Sequence, residues 1–151
     1  MSAAPKAPHE GDVAGMSGRL VDLAGRLVAV LSRETALVRA MRIKEIGALQ
    51  EEKTSLTAQY RTVFKAMTST YPGPSLPVPI KEQLAVSGQR LGQALVENEL
   101  ALRVGKAATE RLITSIVAAV RQQKKFSISY APQRETPRHT FMTAAAVDRR
   151  L

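Results

Sequence analysis

The chain contains no cysteine and no tryptophan, and aromatic residues make up only 4% of it. The missing thiols exclude disulfides, thiol nucleophiles and thiolate metal sites, and they suit a reducing compartment. With so few aromatics, the core must be built from Leu, Val, Ile and Ala. Such residues pack best along a narrow seam between helices. No apolar run approaches the roughly 20 residues that a membrane span requires; Ile116 to Val120 is typical of the longest. The two histidines, His9 and His139, stand far apart near the ends with no second ligand at metal spacing.

The expected domain plan follows from composition. Residues 1–15, rich in Ala, Pro and Gly, read as a disordered leader with no signal-peptide character. From Met16 apolar positions recur through Leu20, Leu23, Leu27, Val30, Leu37 and Met41, in steps of three and four, with Glu34 the one polar residue on the stripe. Two steps of four through Glu45 to Leu49 make a stutter. The rhythm then resumes through Lys53, Leu56, Tyr60, Val63 and Met67. No proline interrupts it, so one helix over about 16–70 is the simplest expectation.

Four of the eight prolines fall within Tyr71-Pro72-Gly73-Pro74-Ser75-Leu76-Pro77-Val78-Pro79, where no helix can continue. Beyond this turn, a second helix over about 80–125 keeps a strict heptad through Leu84, Gly88, Leu91, Leu95, Asn98, Leu102, Gly105, Thr109, Leu112, Ile116 and Ala119. The expected fold is all-α. It is a long antiparallel two-helix hairpin over residues 16–130, coiled-coil-like, which a short extra helix or a partner could complete to a bundle. Residues 131–151 read as a basic flexible tail.

Folding the hairpin at the proline cluster makes facing residue numbers sum to about 150. Lys53 then falls opposite Glu97 and Asn98 in a polar layer, which either fixes register or lets Lys53 snorkel outward. Residues 20–31 fall opposite 112–130, and both stretches are apolar over more than one narrow stripe. The surplus predicts a docking surface made of Leu112, Ile113, Ile116, Val117, Val120, Phe126, Ile128 and Tyr130. An external protein, a second copy and the chain's own tail are its candidate occupants.

No chemistry competes with binding. The carboxylates sit at helical spacing among basic neighbours, as Glu99 does with Arg103, and none is paired in an apolar pocket. Gly105-Lys106 lacks the earlier glycine and the following hydroxyl of a phosphate loop. Neither catalysis nor a cofactor is expected. The net charge of +9 is concentrated late, with seven basic and two acidic residues over 121–151. Arg134, Arg138, Arg149 and Arg150 could meet phosphates, but few aromatics accompany them for stacking, so nucleic acid is the weaker alternative.

Leu31-Ser32-Arg33-Glu34-Thr35-Ala36-Leu37, followed by Ile43-Lys44-Glu45-Ile46-Gly47-Ala48-Leu49-Gln50-Glu51-Glu52-Lys53-Thr54-Ser55-Leu56, resembles the FlgN family of flagellar export chaperones. Asn98 in the second helix and Tyr130 after it extend the resemblance over about residues 20–133. Ala131-Pro132-Gln133 stand where the family often has Asp and a nearby Gly. The resemblance implies a cytoplasmic type III secretion chaperone. Such a protein would bind the C-terminal region of flagellar hook–filament junction proteins through about Leu112 to Tyr130 and deal with export-apparatus components. A self-associating structural coiled coil is the remaining alternative.

Overall fold

The computed structural model describes residues 10–129, with side chains from Gly11 to Phe126. The expected tail, residues 131–151, and Tyr130 lie outside the described residues, as do residues 1–9 of the expected leader. The chain is all-α. Its helices are α1 (Glu10–Arg39), α2 (Ile43–Thr70) and α3 (Val78–Ser129), with a short 3-10 turn at Gly73–Ser75. The described residues fall into two compact units divided between Leu112 and Ile113; the last part of α3 lies in the second.

Two boundaries differ from expectation. Helix begins at Glu10, so residues 10–15 are not leader, and Val13 is already buried. More consequentially, the single first helix expected over 16–70 is two helices, divided at Ala40–Arg42. The break is a helix C-cap of the Schellman type. Arg42 N–H donates to Leu37 O at 2.9 Å and Met41 N–H to Val38 O at 3.0 Å, with Met41 left-handed at φ 57°. Glycine usually occupies that position, because a Cβ there crowds the following carbonyl. Met41 carries the conformation without glycine, and its mark in the sequence is the stutter from Met41 through Glu45, which leaves the continuity of the helix there open. Arg42 then grips Glu45 in the first turn of α2 with two bonds of 2.6 and 2.8 Å.

The reversal changes what α1 packs against. Leu20, Leu23, Leu27, Val30 and Leu31 are buried in one core with Leu49, Leu56, Val63 and Met67 of α2 and Leu91 of α3. The expected pairing of 20–31 with 112–130 is replaced by this core, since α1 turns back onto α2 after Ala40. The α2 positions Leu49, Lys53, Leu56, Tyr60, Val63 and Met67 keep steps of four and three, which lines one face of the helix.

Tyr71, buried, closes α2 by donating its N–H to Met67 O at 2.8 Å. Pro72 and the turn after it bring Leu76, Ile80 and Leu84 against the same core. Pro79 sits in the first turn of α3, where its missing N–H costs nothing. Along α3 the inward residues become small: Leu91, Asn98, Ala101, Gly105. A methyl group at Gly105 would come within 2.7 Å of Val38 Cγ1, so α1 and α3 touch backbone to side chain there.

Three substitutions test these points. Met41→Gly should stabilise the protein by about 1 kcal/mol, since the side chain is exposed and the left-handed cost is relieved. Gly88, where an added methyl would meet nothing within 4 Å, should gain about 0.8 kcal/mol on change to Ala. Gly105→Ala should instead lose about 1 kcal/mol or more, because overpacking against Val38 outweighs helix propensity. Urea unfolding measures all three.

Candidate functional site

Two features of the chain stand apart from ordinary helix packing. The first is a carboxylate inside the core. Glu34 is 1% exposed, a position that is costly for a charge unless it is fully partnered. Lys53 Nζ donates to both of its oxygens at 2.9 Å, Gln50 Nε2 to Oε1 at 2.6 Å, and Asn98 Nδ2 to Oε2 at 2.8 Å. Asn98 also lies 3.2 Å from Thr35 Oγ1. Among the described residues no buried side-chain nitrogen or oxygen is left without a partner.

Glu34 stands on α1, Gln50 and Lys53 on α2, Asn98 on α3. Sequence reading paired Lys53 with Asn98 directly; the structure places both on Glu34, which mediates between them. The spacing singled out Glu34 as the one polar residue on its stripe, and that was the available signal for the hub. Burial works to raise its pKa, but the hydrogen bonds from Lys53, Gln50 and Asn98 and the Lys53 charge outweigh it, leaving Glu34 below the ordinary carboxylate value. Tyr60, nearby on α2, is pushed up by burial alone.

The second feature is the apolar row late in α3. In the second unit Ile113, Ile116, Val117 and Val120 are 56, 54, 42 and 46% exposed. Their spacing puts them on one side of the helix. Leu112, the last residue of the first unit, is also exposed, and so is Phe126. Ile128 falls within α3, but its side chain and Tyr130 lie outside the described residues. The side chains predicted to bind a partner are thus open where they are described. Sequence reading missed a further apolar stripe in the first unit, Val96, Leu100 and Val104, exposed at four-residue spacing off the heptad seam.

Among the described residues, no three or more of His, Cys, Asp and Glu gather where a metal ion could be held. No helix among them is long and apolar enough to cross a membrane. No family model, curated protein or solved structure matches the chain.

The buried carboxylate makes a pH-dependent prediction. A folded-state pKa below the unfolded one means that Glu34 stabilises the protein above the unfolded value, and that this contribution is lost as pH falls through the folded one. Glu34→Gln should cost roughly 2–3 kcal/mol at neutral pH, because Lys53 loses its counter-charge. The gap between variant and parent should narrow below about pH 4, the ordinary carboxylate range. Denaturant titrations at several pH values measure this.

Proposed function

We propose that this protein is an export chaperone of the FlgN kind, working in the cytoplasm, which holds a helical C-terminal segment of a flagellar hook–filament junction protein. The observation that carries the reading is the open row Ile113, Ile116, Val117 and Val120 on the last part of α3. Isolated exposed aliphatics are ordinary; four of them on one side of a helix within eight residues form a contact surface. An amphipathic segment laid along that row would bury both apolar faces in helix-on-helix packing. Leu112, Phe126, Ile128 and Tyr130 extend the proposed contact.

In this reading the three helices of residues 10–112 are a bundle, with Lys53 and Asn98 on Glu34 as its register layer. Capture would cover the partner's aggregation-prone segment and keep it unfolded until it passes to export-apparatus components. The protein would act by binding alone, without catalysis or cofactor. The resemblance in residues 31–56, at Asn98 and at Tyr130 supports the choice of partner, and the exposed row supports the mode of binding.

The test mixes the purified chain with junction proteins carrying and lacking their C-terminal segments. Co-elution should require those segments. Ile116→Asp with Val120→Asp should weaken binding at least about a hundredfold, the effect of placing charges in a buried contact, while circular dichroism stays unchanged. Undiminished binding by this variant would reject the site. A stable oligomer that ignores junction proteins would favour a self-associating coiled coil instead.

A further inference from the structure

The described part of the second unit has a charge pattern that protein capture does not account for. From Arg111 to Arg134 the sequence contains no Asp or Glu, while Arg121, Lys124 and Lys125 follow directly on the apolar row. All three are exposed, as is Phe126. At 100° per residue, Ile113, Ile116, Val117 and Val120 share one broad face. Lys124 lies one turn beyond Val120, in line with the row and closing its C-terminal end. Arg121 lies one turn beyond Val117 and leads round to Lys125 on the polar side.

We propose that this stretch of α3 is also a membrane-surface helix, which lies in the headgroup region of an anionic bilayer with the aliphatic row turned towards the acyl chains. An interfacial helix needs an apolar face flanked by cations, not spanning length. The stem of Arg121 can lie along the apolar boundary and that of Lys124 can snorkel from the end of the row, while their charged ends reach lipid phosphates. Charge argues against the other occupants. A second copy would bring the same cations with no carboxylate between residues 111 and 134 to offset them. A nucleic acid would leave the aliphatic row in water. The inference does not depend on the export reading, although the face cannot hold lipid and a protein segment at once.

Sedimentation of the full chain with vesicles tests it. Vesicles of phosphatidylcholine mixed with phosphatidylglycerol should retain the protein at least about tenfold better than phosphatidylcholine alone, and added salt should weaken retention. Ile116→Gln with Val120→Gln preserves the charge and should abolish most of that retention. Replacing Arg134, Arg138, Arg149 and Arg150 by Gln should leave most of it. Because the chain has no tryptophan, a Val117→Trp variant gives a clean reporter, and its emission should shift to the blue on anionic vesicles. Absence of retention, retention indifferent to the glutamines at 116 and 120, or an unshifted tryptophan would each overturn the proposal. Junction-protein binding measured without lipid is a separate readout, so either idea can fail while the other stands.

Discussion

A negative charge sealed among hydrocarbon side chains imposes conditions on everything around it. Glu34 is tolerable only while Lys53, Gln50 and Asn98 are all in place, and these come from the two helices that α1 packs against. Sliding any helix by one turn would separate the carboxylate from a partner and strand it. Aliphatic packing alone is permissive about such slips, because one leucine resembles another along a heptad seam. The polar layer therefore contributes alignment more than net stability, which fits the general behaviour of buried ion pairs.

Around that layer, residue size does the rest. Leucines fill the core on either side, while Ala101 and Gly105 let α3 close onto α1. The close approach at Gly105 and Val38 limits how the pair can rotate. Alignment along the helices comes from Glu34, and spacing between them from the small residues.

Much of this was legible in the sequence because its causes are local. Proline cannot occupy a helix interior, so the turn after Tyr71 was evident. The four-three rhythm of Leu49 to Met67 identified the buried face of α2, whereas of the seam from Leu84 to Gly105 the structure buries Leu91, Asn98 and Gly105 and leaves Gly88, Leu95 and Leu102 exposed. The stutter after Met41 marked an irregularity, but a full reversal there was not legible, because the conformation that glycine normally signals is held by methionine. That one position redirected Leu20 to Leu31 from an expected pairing with residues 112–130 to a core shared with α2 and α3. The row at Ile113 to Val120 was recognisable as apolar, since it shares the period of the seam. Its exposure was expected as a surplus over a pairing with residues 20–31, and that pairing was wrong, because periodicity records which residues share a face and not what stands opposite. Glu34 was visible as an anomaly, but its three partners are 16, 19 and 64 residues away along the chain.

The tight reversal also bears on how the chain assembles. Only residues 40–42 separate α1 from α2, so closing that hairpin sacrifices little chain freedom. During synthesis, which proceeds from the N-terminus, both helices are complete before most of α3 exists. Glu34 and Lys53 can meet at that stage, leaving one oxygen short of the amide from Asn98. The growing third helix then arrives as a latecomer to a half-built polar socket, and the nascent protein finds its alignment by filling it.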